Sequence, residues 1–175
     1  GTLEAFNTDG LRSLLYTIKI PSMKEKTLRY PGYAEKMRML RETGFFSDKP
    51  IEVGGVKIKP IDLTSKLLFP KWELKDGEEE LTVMRVMVPG KKDEKILRYT
   101  YDLIDYYDEE EKATSMSRAT GFPCAIMARL VAQGEFQYPG VCPPEYIGRE
   151  HKVYQKVMEE LEKRNIFYKE SIEEI

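Results

Sequence analysis

Two stretches rich in Val, Ile, Thr and Tyr, Glu79 to Val88 and Lys95 to Tyr107, are joined by Pro89-Gly90-Lys91-Lys92-Asp93. A parallel neighbour needs a crossover of a dozen residues or more, whereas a link this short turns the chain straight back. The two stretches must therefore pair antiparallel as a long hairpin. That constraint removes a doubly wound sheet of regular βαβ units. It predicts an α+β fold, a mixed, largely antiparallel sheet flanked by helices, with no Rossmann domain in the chain. In the first strand Leu81, Val83, Arg85 and Met87 share one face, and Thr82, Met84, Val86 and Val88 share the other. Both faces carry apolar residues, so both are expected to be partly covered, one of them by another subunit. Arg85 stands in an otherwise apolar row, where a cation must find a counter-ion or line a cavity.

The remaining elements follow from periodicity and punctuation. Thr8 or Asp9 is placed to cap a helix whose apolar stripe is Leu11, Leu14, Leu15 and Ile18. Met23 to Tyr30 reads as a strand. Pro31-Gly32 breaks it before a second helix with Ala34, Met37, Leu40 and Arg41 at helical spacing, ended by Gly44. Ile51-Glu52-Val53 and Val56-Lys57-Ile58 form a small hairpin around Gly54-Gly55, and a short helix from Pro60 to about Leu68 follows. Thr114 to Gln133 has helical spacing through Met116, Ala119, Ile126, Leu130 and Val131, closed by Gly134. Pro123 either kinks this helix or marks its true beginning. A last helix, Glu150 to Arg164, turns Val153, Val157, Met158 and Leu161 to the core, and Ile166 to Lys169 reads as a final strand.

With 175 residues, and no repeat, low-complexity tract or Pro/Gly-rich linker, a single domain is the expectation. A formal charge of -2 offers no global attraction to nucleic acid or anionic lipid, so neither partner is expected. No stretch approaches the roughly 20 apolar residues that cross a bilayer, and the first residues lack a signal-peptide layout; a cytoplasmic protein is expected. The opening Gly1-Thr2 reads as a cut within a longer protein. Cys124 and Cys142 form no CxxC pair and are read as small buried hydrophobes, which leaves no metal site. His151, among Arg149, Glu150 and Lys152, is read as a solvated helix start.

The sequence has no GxGxxG after a strand and no GxxxxGK[ST], so it lacks a pyrophosphate cradle. It also has no GxSxG elbow, and no Cys with a His partner, for nucleophilic hydrolysis. What remains is polar residues at element ends. Asn7-Thr8-Asp9-Gly10-Leu11-Arg12 reads either as ordinary capping beside a surface Arg or as a place for a bound carboxylate. Thr27-Leu28-Arg29-Tyr30-Pro31-Gly32 puts Arg29 and Tyr30 where a strand enters a turn. Arg29 either pairs with an acidic neighbour or offers its planar fork to a ligand carboxylate. The Glu109-Glu110-Glu111 run and the charges of the last helix are solvated faces, and Trp72 with Tyr99, Tyr101, Tyr106 and Tyr107 reads as core or interface.

Taken in order, Glu4 to Arg12, Lys26 to Gly32, Gly44-Phe45-Phe46, Ser115-Met116-Ser117-Arg118-Ala119-Thr120-Gly121-Phe122-Pro123, and Gly140-Val141 with Pro144-Glu145 resemble the C-terminal catalytic domain of the saccharopine dehydrogenase and lysine 6-dehydrogenase family. The resemblance implies a full-length enzyme in which an N-terminal Rossmann domain, absent from this chain, binds NAD or NADP. The present domain would complete the substrate pocket and build a homodimer. The compact form looks closer to lysine 6-dehydrogenase, which oxidises the lysine ε-amine; saccharopine-type and carboxynorspermidine-type dehydrogenases are near relatives. On that footing Arg12 and Arg29 take the substrate carboxylate. Thr8 and Asp9 take its ammonium or face the second domain, and Tyr30 shapes the pocket. Thr120, Gly121 and Pro123 approach the nicotinamide. The chain departs from the pattern at Tyr33, where many relatives carry His, so no proton-transfer residue is assigned. The alternative reading is a noncatalytic dimerisation or amino-acid-sensing module on the same fold, distinguished by what precedes Gly1.

Overall fold

Strand β1 (Glu4–Asn7) runs antiparallel to β2 (Lys26–Arg29), with Glu4 opposite Arg29 and Phe6 opposite Thr27. These strands belong to the first of two units, Gly1–Asp76 and Gly77–Ile175, into which the computed structural model of residues 1–175 divides. The helix expected from Thr8 or Asp9 does not form. Arg12 adopts a left-handed backbone (φ 48), which stops a helical run, and only the single turn α1 (Leu14–Thr17) follows. The reason lies in β2's approach. Thr8 Oγ1 donates to Glu25 Oε2 at 2.5 Å and the Gly10 N–H to the same oxygen at 3.2 Å. The residues meant to cap a helix are thus held across the β1–β2 ribbon instead.

Tyr30-Pro31-Gly32-Tyr33 is a tight turn closed by the Tyr33 N–H on the Tyr30 carbonyl (3.3 Å). Gly32, with φ 91 and ψ -4, occupies the left-handed position of a type II turn that Pro at the preceding residue favours. Helix α2 (Tyr33–Glu42) starts there, and it ends with the Gly44 N–H on Arg41 O and the Phe45 N–H on Leu40 O, a Schellman pair. Strands β3 (Ile51–Val53) and β4 (Val56–Ile58) pair around Gly54-Gly55, both at positive φ as a type I′ hairpin requires. Helix α3 (Pro60–Trp72) outruns the expected Leu68 and passes through Pro70. The buried Thr64 hydroxyl bonds Phe45 O and Pro60 O, both at 2.8 Å, and so ties α3 to the residues after α2.

The second unit holds every buried apolar side chain. Strands β5 (Leu81–Lys92), β6 (Lys95–Tyr106) and β7 (Lys169–Glu174) form an antiparallel sheet in the order β5-β6-β7. The long hairpin is as expected, but its turn is the pair Asp93-Glu94, both left-handed (φ 50 and 64). Pro89-Gly90 lies inside β5, with Pro89 opposite Arg98. An edge strand tolerates the missing N–H because one side of it has no ladder to serve.

Helix α4 (Ser115–Ala132) is capped by Thr114, whose side chain accepts from the Ser117 N–H at 3.2 Å; it runs unbroken through Pro123. Helices α5 (Pro144–Ile147) and α6 (His151–Glu162) follow. Leu103, Ile126, Leu130, Phe136, Val153, Leu161 and Ile166 make the core. Ile166 was expected to open the last strand. Instead the left-handed Asn165 (φ 59) turns the chain so that the Ile166 N–H bonds Leu161 O at 3.0 Å, and the side chain drops into the core. The strand forms three residues later.

Leu103 and Asp105 face the helices of this unit, while Ile104 (59% exposed) and Tyr106 (62%) lie on the opposite face of the sheet. No helix is long and apolar enough to cross a membrane.

Candidate functional site

The turn after β2 gathers the chemistry of the first unit. Glu4, on β1, sends its carboxylate into the start of α2: Oε2 accepts the Gly32 N–H at 3.0 Å and Oε1 the Ala34 N–H at 2.6 Å. Those amides have no partner within the helix, and the helix dipole favours an anion there. Accordingly the Glu4 carboxyl is held below the usual carboxylate range, first by Ala34 and then by Gly32. Tyr33, the first residue of α2, stacks its ring on Phe6 of β1, with centroids 5.8 Å apart and planes within 13°. The Arg29 guanidinium lies 5.7 Å from the Tyr33 ring centroid and donates one bond to Leu28 O at 2.8 Å. Arg29 has no carboxylate partner, although its cross-strand neighbour is Glu4. A guanidinium has five donors, and one is used. Tyr30 beside it is 70% exposed.

The other substrate-binding candidates lie on the same β1–β2 ribbon or just beyond it. Thr8 bonds Glu25 and, at 2.9 Å, Thr27. Arg12 and Asp9 make an ion pair at 3.7 Å with side chains 75% and 88% exposed, a contact that solvent leaves worth little and that a ligand displaces readily. The structure thus places Thr8, Asp9, Arg12, Arg29 and Tyr30 in one unit, the last two side by side. Glu4 and Phe6, which sequence reasoning did not single out, stand against the same turn through the α2 amides and the Tyr33 ring.

In the second unit Thr120 and Gly121 sit on the exposed face of α4 and Pro123 is half-buried, all in mid-helix rather than at a helix start. The Thr120 hydroxyl donates to Met116 O at 2.6 Å. Mid-helix amides are spent within the helix, so these three residues do not themselves make a cradle of free amides for a pyrophosphate. Cys124 is exposed, which corrects its reading as a buried hydrophobe; Cys142 is half-buried against the core. His151 starts α6 on the surface. No cluster of His, Cys, Asp and Glu is arranged to hold a metal ion.

Arg85 forms a bidentate pair with Asp102, at 2.6 and 3.0 Å, on the open face of the sheet. Beneath the opposite face, Arg118 is buried against Asp105 (3.3 Å), Tyr106 O (3.1 Å) and Arg164 O (2.9 Å). A groove of about 290 Å³ lies among Ile126, Arg129, Leu130, Lys156 and Glu160 of α4 and α6. Its charges pair with one another, Arg129 with Glu160 at 3.7 Å and Lys156 with Glu135, and it contains none of the candidate residues.

Residues 1–166 match the saccharopine dehydrogenase C-terminal domain. The chain belongs to that family. Among curated proteins it is similar to the Schizosaccharomyces pombe saccharopine dehydrogenase [NADP(+), L-glutamate-forming], with 28% identity over 107 residues, 60% of this chain and 23% of the relative. The chain therefore spans under a quarter of that relative's length. The matched range runs from the β1–β2 ribbon through α6 of this chain.

Proposed function

We propose that this chain is the substrate-binding half of an NAD(P)-dependent amino-acid dehydrogenase, with the lysine ε-amine as the group oxidised. Family membership supports an oxidoreductase, and the relative's name supports a nicotinamide cofactor for that relative. The observation that carries the reading is Arg29: an exposed guanidinium, held on a ring face, with most of its donors unspent and no carboxylate beside it. That arrangement suits a bidentate grip on an amino-acid carboxylate.

In this reading Arg29 and Arg12 bind the substrate carboxylate, and Asp9, once Arg12 turns to the ligand, meets its ammonium. Thr8 braces the ribbon and Tyr30 walls the pocket. The cofactor is held mainly by a Rossmann domain outside this chain, and when bound it accepts the hydride that leaves the amine-bearing carbon. Thr120, Gly121 and Pro123 are the residues of this chain assigned to face it. The chain's own part is to fix the substrate by its carboxylate end so that the reacting carbon does not wander, which converts binding energy into orientation. The open face of the β5-β6-β7 sheet, with Met87, Ile104 and Tyr106 exposed, is assigned to a homodimer.

The test uses the complete gene product. NADH and NADPH formation is followed with lysine, saccharopine and carboxynorspermidine, for the wild type, Arg29→Ala and Arg12→Ala. The expected result is cofactor reduction with lysine and a KM raised about tenfold or more in Arg29→Ala, the loss typical of a charge-assisted hydrogen bond. Turnover of saccharopine or carboxynorspermidine but not lysine moves the substrate assignment to a sister activity. Silence with every amine and both cofactors, alongside measurable lysine binding, supports a noncatalytic sensing module instead.

A further inference from the structure

Opposite charges facing each other across an antiparallel ribbon ordinarily pair. Glu4 and Arg29 are such partners in register, yet they do not bond. Both carboxylate oxygens of Glu4 are taken by the amides of Gly32 and Ala34, and Arg29 turns to the Tyr33 ring and the Leu28 carbonyl. Tyr33 is the residue between those two amides, so the bonds that engage Glu4 also fix the ring on which Arg29 rests. Phe6, two residues along β1 from Glu4 and on the same strand face, backs that ring.

From this geometry we infer that Glu4 is a positioning residue: by clamping the Tyr30–Tyr33 turn it sets the Tyr33 ring under Arg29, and by spending its own oxygens on the helix it leaves the guanidinium free for a substrate carboxylate. The inference rests on the proposed substrate role of Arg29 and adds the mechanism that keeps it available. Two consequences follow. Removal of the carboxylate frees the turn, and Arg29 loses its shelf. A neutral isostere keeps acceptor oxygen but not the charge that the helix start favours, so Gln restores part of the function and Ala none.

The experiment is made on the complete gene product with Glu4→Ala and Glu4→Gln. Steady-state kinetics are measured with lysine and with 1,5-diaminopentane, which keeps the reacting amine and lacks the carboxylate. In Glu4→Ala the preference for lysine, expressed as the ratio of kcat/KM values, is expected to fall about tenfold through KM for lysine, with diaminopentane unaffected and Gln intermediate. An equal loss for both substrates marks a structural role only and overturns the inference. A crystal structure of Glu4→Ala decides the same point when the wild type turns over neither amine. Arg29 displaced from the Tyr33 ring supports the positioning role even as the dehydrogenase reading fails, and Arg29 unmoved refutes it.

Discussion

Replacement of Arg118 by Ala should be among the most damaging single substitutions in the chain. Its side chain and that of Asp105 are only 7% and 5% exposed. One guanidinium bonds Asp105 on β6 and the Tyr106 carbonyl, and reaches past α6 to the Arg164 carbonyl. Asp108 Oδ2 lies 3.7 Å away. Asp105 Oδ2 already has no hydrogen-bond partner, so truncation of Arg118 leaves a buried carboxylate with neither oxygen satisfied. Breaking a buried pair from one side costs about 3–5 kcal/mol, and each abandoned carbonyl adds about 1 kcal/mol when it cannot reach water. Because Asp108 is nearer solvent and the Asp105 contact is long, a loss of about 4 kcal/mol is expected. Urea unfolding followed by circular dichroism reads it. With m of about 1–1.5 kcal/mol/M, the midpoint falls by about 3 M, a large share of the roughly 5–15 kcal/mol that holds an ordinary domain. Asp105→Asn in the Arg118→Ala background should regain about 1–2 kcal/mol, because the stranded charge is gone while the amide keeps its shape. A loss below about 1 kcal/mol for Arg118→Ala, or no recovery in the double variant, would refute the reasoning.

Three smaller expectations rest on separate contacts. Glu160 is held down to about 2 by hydrogen bonds from Lys163 and Arg164. Its stabilising contribution is therefore complete above the ordinary value of 4.5 and lost as pH falls toward 2, and Glu160→Gln should flatten the acid limb of a urea-midpoint profile across that window. An unchanged slope would count against it. The Tyr101 phenol is pushed up, first by its hydrogen bond to Glu170 and then by burial. The folded state favours its protonated form, so this contribution holds below the ordinary value of 10 and fades as pH rises past it. Glu170→Gln should lower one phenol in an alkaline absorbance titration, and an identical titration would dismiss the pairing. Gly32→Ala, at φ 91 with no heavy atom near its new Cβ, should cost about 1–2 kcal/mol from backbone strain alone. A cost near zero by urea unfolding would mean that the turn has changed type.

How much of the fold was legible follows from how local each signal is. The pairing of the two long strands, the Gly-Gly turn, α2 with its Pro31-Gly32 entry, and the helical run from Thr114 to Gln133 are set by residues within a few positions of one another, and they form as the sequence reads. The failures occur where a distant partner outbids a local preference. Leu11 to Ile18 has a helical stripe, but Thr8 and Gly10 are claimed by Glu25, fifteen or more residues away, and Arg12 goes left-handed. Pro89-Gly90 looks like a turn, yet the ladder between β5 and β6 extends through it because β5 is an edge. Ile166 has strand propensity, but a core site beside Leu161 offers more burial than a sheet edge does.

The candidate site divides along the same line. Arg29 and Tyr30 were readable because a strand running into Pro-Gly must present its last side chains at a turn, and Arg12 because it follows a polar cluster. Glu4 was not, since nothing in Leu3-Glu4-Ala5-Phe6 announces that a carboxylate will serve a helix beginning at residue 33. The signal that finds it is register. Once Glu4 is set opposite Arg29, the Pro31-Gly32 turn carries the start of α2 back over β1, and a carboxylate within reach of unpaired amides will bind them in preference to an exposed guanidinium. The preference is physical: the amides are fixed and part-buried, whereas a surface ion pair must immobilise two long side chains for at most about 1 kcal/mol. The same argument explains the free guanidinium. An acid directly opposite an arginine usually silences it as a ligand site. In this ribbon the acid is engaged by the start of α2, so the guanidinium bonds only the Leu28 carbonyl and keeps its other donors unspent.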